Sequence, residues 1–217
     1  MASRSYGHYC AVAKTLDVVG ERWTLLVVRE LLDGPKRYVD LLAGLVGIST
    51  DMLATRLKVL EEAGIISRRT LPAPAASKVY ELTPLGRALQ PTMTELARFG
   101  IHLLGEQDDG AAFQIHWITS SLRAMFRPER VPATPLTVEF RVGTEAMHAR
   151  IAEGDLHTFP GHIDDPDVVL TFADATTLAE MGRDPAAALA ALSTGRLHVQ
   201  GRPDAIQATR ELFGLNH

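Results

Sequence analysis

Apolar positions along the first hundred residues recur at helical spacing and are broken by clear stops. Trp23 to Leu32 (WTLLVVRELL) is the most apolar run and ends at Gly34-Pro35, which predicts a core helix. Lys36 and Arg37 then open Tyr38 to Leu45, where Tyr38, Leu41, Leu42 and Leu45 share one side and predict a short helix facing that core. The tight turn Val46-Gly47-Ile48 leads to a third helix. Ser49 is its N-cap, Ile48 its staple position and Gly64 its stop after Ala63. Within it Met52, Leu53, Leu57 and Leu60 form the predicted buried stripe, and Thr50, Asp51, Ala54, Thr55 and Lys58 fall opposite. Ile65 to Leu71 and Lys78 to Leu82 are β-prone runs flanking PAPAAS, the pattern of a hairpin with a proline-stiffened tip.

The pattern continues with Leu85 to Leu104, a helical stretch carrying Leu89, Met93, Leu96, Phe99, Ile101, Leu103 and Leu104. That is more apolar surface than a helix on a small domain buries against itself, so a dimer contact is expected; Pro91 predicts a break or kink. Gly105 to Ala112 (GEQDDGAA) is an acidic linker. Beyond it, Phe113 to Arg127 reads as an amphipathic helix, followed by the proline-rich passage RPERVPATP. Strict alternation at Leu136 to Val142, and again at Met147, Ala149 and Ile151 before the turn Glu153-Gly154-Asp155, predicts half-buried strands. Val168 to Phe172 and Arg196 to Gln200 are further strands, with helices at Ala175 to Met181 and Pro185 to Leu192 between them and a last helix at Pro203 to Phe213. The fold class expected is α+β: an N-terminal winged helix-turn-helix with a dimerisation helix, then a mainly antiparallel sheet covered by helices.

A short helix, a glycine-containing turn and a capped second helix make a helix-turn-helix. The outward face of the Ser49 to Ala63 helix is short-chained and ends in a cation, so its backbone can approach a major groove and Lys58 can reach phosphate or guanine. The same face also fits an ordinary solvated surface. Arg68, Arg69 and Lys78 on the hairpin suit phosphate contact, and charged strands equally protect a sheet edge.

These residues resemble the HxlR-type branch of the MarR-like winged helix-turn-helix regulators over roughly residues 8 to 104. The resemblance rests on Cys10 before the first helix, G-x-R-W-T at Gly20 to Thr24 and G-x-x-R-Y at Gly34 to Tyr38. It also rests on the I-S-x-x-M-L helix start, L-x-x-L-E-x-x-G-I-I, and Y-x-L-T-x-x-G at Tyr80 to Gly86. Ala11 stands where the family usually has proline, and Ala76-Ser77-Lys78-Val79-Tyr80 replaces its Pro-x-x-Val-x-Tyr wing. The resemblance implies a homodimer on an inverted-repeat operator in double-stranded DNA, contacted by Lys36, Arg37, Ser49, Thr50, Asp51, Ala54, Thr55, Lys58, Arg68, Arg69 and Lys78. Some relatives use an N-terminal cysteine as a redox switch. For Cys10, with Lys14 one turn on to lower its pKa, that reading stands beside one as a small buried hydrophobe.

The second half, roughly residues 113 to 217, resembles a sterol carrier protein type two-like domain. The matching residues are the strand Asp167 to Phe172 and Gly195 to Asp204, in which Arg202 and Pro203 displace the usual acidic residue to Asp204. This implies a sensor of a hydrophobic small molecule, with Trp117, Phe126, Phe140, Met147, Phe159, Phe172, Met181 and Phe213 as candidate pocket residues. Phe and Met at such spacing also make solid core, and the domain can equally serve only to dimerise. Domains are expected at 1–105 and 112–217.

Charge sharpens this division. The net charge of −4 is wrong for a DNA binder taken whole, but residues 1–100 carry 13 Lys and Arg against 10 Asp and Glu, net +3, and residues 101–217 carry 9 against 16, net −7. A basic module joined to an acidic one is the asymmetry a two-domain regulator needs. At 217 residues, 46% hydrophobic and 22% charged, the chain is globular and long enough for two domains. No membrane span or signal peptide is expected, so the chain reads as cytoplasmic. The single cysteine and eight scattered histidines have no metal-ligand spacing, and no nucleophile elbow or phosphate-cradling loop occurs. No enzyme activity, catalytic residue, metal or cofactor is expected. The reading is a repressor released by an effector, with a redox regulator acting through Cys10, or a small-molecule carrier without operator binding, as alternatives.

Overall fold

The computed structural model describes residues 5–72, 74, 76–105 and 111–215. It is a mixed α+β chain that divides into two compact units, Met1–Met93 and Thr94–His217. The interior of the acidic linker, residues 106–110, lies outside the described residues, as do two positions of the hairpin tip, 73 and 75.

The first unit runs α1 (Ala11–Val19), α2 (Thr24–Leu32), α3 (Tyr38–Gly44), α4 (Thr50–Glu62), β1 (Ile66–Thr70), β2 (Lys78–Leu82) and α5 (Pro84–Arg87), and it ends inside α6 (Gln90–Gly100). Its core is the side of each helix that the apolar spacing selects: Val27, Val28 and Leu31 of α2, Leu41 of α3, and Leu53, Leu57 and Leu60 of α4. The helix α3 starts in a capping box between Arg37 and Asp40, and α4 in a hydrogen bond from the Met52 amide to the Ser49 hydroxyl (3.2 Å). Gly64, at φ +70°, turns the chain out of α4, and the Ile65 amide closes back on the Leu60 carbonyl (2.9 Å). The strands β1 and β2 pair antiparallel, with Arg68 opposite Tyr80, and a bridge from Lys36 to Tyr80 adds a third short element to this wing.

The end of the wing is tied by Thr83. Its hydroxyl donates to the Gly64 carbonyl (2.6 Å) and accepts from the Gly86 amide (3.1 Å), and its own amide donates to the Ile65 carbonyl (3.0 Å). One side chain thus joins the end of α4, the start of β1 and the first turn of α5. The expected long helix from Leu85 is two helices separated by a turn at Ala88 and Leu89. Pro91 causes no kink, because it lies in the first turn of α6, where a missing N–H and a fixed φ cost nothing.

The second unit contains α7 (Ile118–Met125), β3 (Leu136–Val142), β4 (Glu145–Ala152), β5 (Asp155–Pro160), β6 (Val168–Phe172), α8 (Ala175–Arg183), α9 (Ala187–Ser193), β7 (Leu197–Gly201) and α10 (Pro203–Leu212). The sheet order is β5-β4-β3-β6-β7, antiparallel at every pair except β3 and β6. The helix predicted from Phe113 is shorter: a 3-10 turn spans Ile115–Trp117 and α7 follows. The edge strand β5 is not predicted by the sequence pattern, which shows only the turn before it. Glu153 and Gly154 both take positive φ (54° and 85°), a two-residue turn that returns the chain at once into a paired strand.

Val138, Phe140, Met147, Ala149, Ile151, Leu170 and Phe172 point from the sheet into a core shared with Ile118 and Leu122 of α7, Met181 of α8 and Leu212 of α10. The opposite face of the sheet is polar. There Glu139 is fully buried, accepting from the Ile163 amide (3.0 Å) and bonded to Arg141 and His162. Burial pushes its carboxyl up, but these three donors outweigh it and hold the pKa below the usual carboxylate value. No helix among the described residues is long and apolar enough to cross a membrane.

Candidate functional site

The helix α4 is fixed at its start before any of its outward residues matter. Ser49 caps it, and the Tyr38 hydroxyl of α3 donates to the Thr50 carbonyl (2.8 Å), so the helix-turn-helix angle is held by a side chain rather than by the turn alone. Thr50, Asp51, Ala54, Thr55 and Lys58 are all exposed on one face. The Thr55 hydroxyl donates back to the Asp51 carbonyl (2.7 Å), and Lys58 faces Glu62 at 3.8 Å. The ammonium is mostly solvent-exposed, so that pair holds it weakly and leaves it free to exchange partners. Met52 is a correction: it is exposed rather than part of the buried stripe, and it stands one turn before Arg56 on the flank of the same face. Arg56 escaped the sequence reading. It is half-buried, and its Nε has no hydrogen-bond partner among the described residues.

The basic residues around α4 differ in what holds them. Arg68 lies 3.0 Å from Glu61 and 5.2 Å over the Tyr80 ring, which aims its guanidinium along the end of α4. Strand alternation puts Arg68 and the exposed Lys78 on one face of the wing and Arg69, paired with Glu81 (3.1 Å), on the other. Arg37 makes a bidentate pair with Asp40 (2.7 and 2.8 Å); Asp40 raises the Arg37 pKa and Arg37 lowers that of Asp40. Lys36 turns inward. Its ammonium sits 2.6 Å from Glu30, a fully buried carboxylate that also binds Arg29 (2.8 Å) beneath Gly44, whose missing Cβ leaves the room. Lys36 thus neutralises the interior as well as pairing with the wing.

Within the second unit lies a cavity of about 490 Å³, lined wholly by residues from 101 to 215. Trp117, Phe140, Phe172, Met181 and Phe213 line it, as the sequence suggested. Phe126, Met147 and Phe159 do not. Phe126 stands behind Phe213 with ring centroids 6.3 Å apart, because α7 ends before it, and Met147 is packed into the solid core of the sheet. Phe159 belongs to β5, the strand the sequence hid; it faces the polar side of the sheet, stacked on His148 (5.3 Å) under Arg150. The sequence reading also missed Ile101, Ser121 and Gly182 as wall residues. A glycine inside the α8 helix was the available signal for close approach.

Cys10 is exposed at the N-cap of α1, which corrects its reading as a buried hydrophobe. The first-turn amides of Ala13 and Val12 draw its thiol pKa below the ordinary value, although neither closes a strict cap hydrogen bond. Lys14 lies toward Asp17 (3.8 Å) instead. The apolar side chains of α6 and its extension separate similarly: Met93 and Ile101 are buried, whereas Leu96, Phe99, Leu103 and Leu104 remain exposed, as do Val12 and Leu16 on α1. Among the described residues no cluster of three or more His, Cys, Asp or Glu can hold a metal ion.

Comparison with known proteins bears on the winged unit. A family described as HxlR-like helix-turn-helix matches residues 18–108. An uncharacterized HTH-type transcriptional regulator of Synechocystis, sll1512, is 37% identical over 101 residues, 46% of this chain and 75% of that protein. The chain belongs to the HxlR-like helix-turn-helix family. The HTH-type transcriptional regulator YodB of Bacillus subtilis is 40% identical over 79 residues, 36% of this chain and 70% of its own. The reduced form of YodB, as a solved structure, covers 48% of this chain and 100% of its own at 32% identity, with a TM-score of 0.39. By its family, this HxlR-like protein is a transcriptional regulator. Membership implies DNA binding and typically dimers.

Proposed function

We propose that this HxlR-like protein is a homodimeric repressor that binds an inverted repeat through α4 and the wing, and releases it when the second unit takes up a hydrophobic effector. One observation carries the reading. The face of α4 that turns away from the core is built of short side chains and Lys58, every one of them exposed, and Arg68 of the wing pairs with Glu61 near the end of the same helix. Small side chains let a helix enter the major groove, and the wing cations suit the flanking phosphates. The exposed leucines and Phe99 of α6 and its extension, with the apolar positions of α1, suit a self-association surface. A two-fold dimer would set its recognition helices about one turn of DNA apart, ~34 Å.

The domains proposed are 1–105 for DNA binding and dimerisation and 112–217 for sensing. A five-stranded, mainly antiparallel sheet under helices, with an apolar cavity beside it, supports the sterol carrier protein type two-like reading. Arg202 bridges Asp167 (2.9 Å) and the displaced Asp204 (3.4 Å), so the departure from the usual turn sequence keeps its acidic residue engaged.

Lys58→Ala and Arg68→Ala should each weaken binding to an operator duplex and make the fall of log K with log salt shallower by about one unit. Fluorescence anisotropy across a salt series reads both quantities. Unchanged affinity and slope in both variants would remove α4 and the wing from the interface. If the chain shifts no duplex specifically yet binds an apolar ligand tightly, it is a carrier.

A second reading, a redox regulator, is favoured by the exposed, acidified thiol of Cys10. With one cysteine in the chain, oxidation can join only two protomers or add a small thiol. Diamide should then produce a disulfide dimer on non-reducing gels, and Cys10→Ser should abolish it; an unchanged monomer band under diamide ends this reading.

A further inference from the structure

We propose that the cavity of the second unit binds an uncharged, mainly aromatic or alicyclic molecule and senses it at Ile101, the residue seated against Gly182 in the cavity wall. The inference rests on the reading of this unit as the effector domain. Three observations carry it.

The first is chemical. Among the described residues the lining contains no Asp, Glu, Lys, Arg or His, and its side-chain polar atoms are confined to the Trp117 indole and the hydroxyls of Ser121 and Thr176. An anion carried into such a lining would lose its hydration and gain no counter-charge, so a carboxylate, sulfonate or phosphate is selected against. A neutral ring system loses little hydration and meets Phe140, Phe172 and Phe213 directly. The second is size: about 490 Å³ lies inside the range of roughly 300–1,000 Å³ typical of small-molecule sites.

The third is the wall itself. Gly182 is where α8 passes the 3-10 turn Ile101–Leu103, and a Cβ there would lie 2.0 Å from Ile101 Cδ1. Two guanidinium groups hold the neighbourhood of that turn against the helices around the cavity. Arg183 donates to the Leu104 carbonyl (2.6 Å), and Arg98, in the last turn of α6, donates to the Ala124 carbonyl (2.8 Å). Ile101, Leu103 and Leu104 all line the cavity, and they follow directly on α6. A molecule that presses on Ile101 therefore presses on the end of that helix. Gly182→Ala should do the same without ligand, because the new methyl must turn the isoleucine out of its seat.

The test uses two probes on one aromatic skeleton, neutral N-phenyl-1-naphthylamine and anionic 1-anilinonaphthalene-8-sulfonate, titrated into the full chain by fluorescence. The neutral probe should saturate one site per protomer, the sulfonate should bind at least tenfold more weakly, and Ser121→Phe, which fills the cavity from α7, should weaken the neutral probe at least tenfold. Equal affinities, or an unaffected neutral probe in Ser121→Phe, would overturn the ligand class. Amide hydrogen exchange at residues 98–104 should change on saturation with the neutral probe, and Gly182→Ala should change the same amides in its absence. Binding without any change at these amides would overturn the sensing role of Ile101. Whether the ligand-free wild-type chain shifts an operator duplex is measured separately and decides only the regulator reading.

Discussion

Ala54→Glu is expected to reduce operator affinity by roughly a hundredfold or more while leaving unfolding within about 0.5 kcal/mol of wild type. Ala54 is exposed in the middle of α4 and touches nothing in the core, and glutamate is nearly as good a helix former as alanine. The new carboxylate stands one turn before Lys58, at the spacing that favours an ion pair on a helix surface. It therefore acts twice against DNA: it brings a negative charge to the phosphates and it occupies Lys58, the exposed cation of that face. It also lengthens the side chain where the proposed fit needs a short one. Anisotropy at fixed salt, beside a chemical unfolding curve, separates the two quantities. Wild-type affinity in a folded variant would show that the protein meets DNA through some other surface.

The legibility of this face has a physical cause. Helical spacing, an N-cap, a staple and a glycine stop are local signals, and α4 begins at the residue they indicate. The T-x-x-G at Thr83 to Gly86 was equally visible, but its purpose was not, because Thr83 bonds backbone nearly twenty residues earlier in the chain. The inward pairing of Lys36 was hidden for the same reason. Beside Arg37 at a helix start it has the look of a surface cation, and only the third dimension brings it to Glu30, which the sequence places on the far side of a glycine-proline stop. In the second half, alternation revealed β3 and β4 but not β5, since an edge strand reading DLHTFP exposes most of its residues and ends in proline. Of the candidate pocket residues outside the lining, Phe159 depended on that missing strand, Phe126 on where α7 stops, and Met147 fills the core instead of facing the space. Which aromatic residues line a space and which fill it is a packing outcome, and no spacing encodes it.

Gly86→Ala should destabilise the winged unit by roughly 2–4 kcal/mol. The glycine is not required for its backbone angles, since it lies in the short helix α5 at ordinary φ; it is required for contact. A Cβ there would stand 2.1 Å from the Ile65 carbonyl oxygen and 3.0 Å from Leu82 Cδ2. The leucine can rotate, but the carbonyl cannot, because it already accepts the Thr83 amide and belongs to the residue that leaves α4 for β1. Relief must therefore pull α5 away from the wing base. That movement breaks the Gly86-to-Thr83 bond and loosens the hydroxyl that ties Gly64, so the end of α4 loses its anchor together with the wing. The two tryptophans allow this to be read in place: Trp23 reports on the first unit and Trp117 on the second, each observed with the other replaced by phenylalanine. The Trp23 transition should move to lower urea and the Trp117 transition should stay. Gly100→Ala is the control, a helical glycine whose added methyl meets nothing within 4 Å, and it should be neutral or slightly stabilising. If Gly86→Ala leaves the Trp23 transition in place, the close approach at Ile65 is not what holds the wing, and the loss of operator binding expected to accompany it should vanish as well.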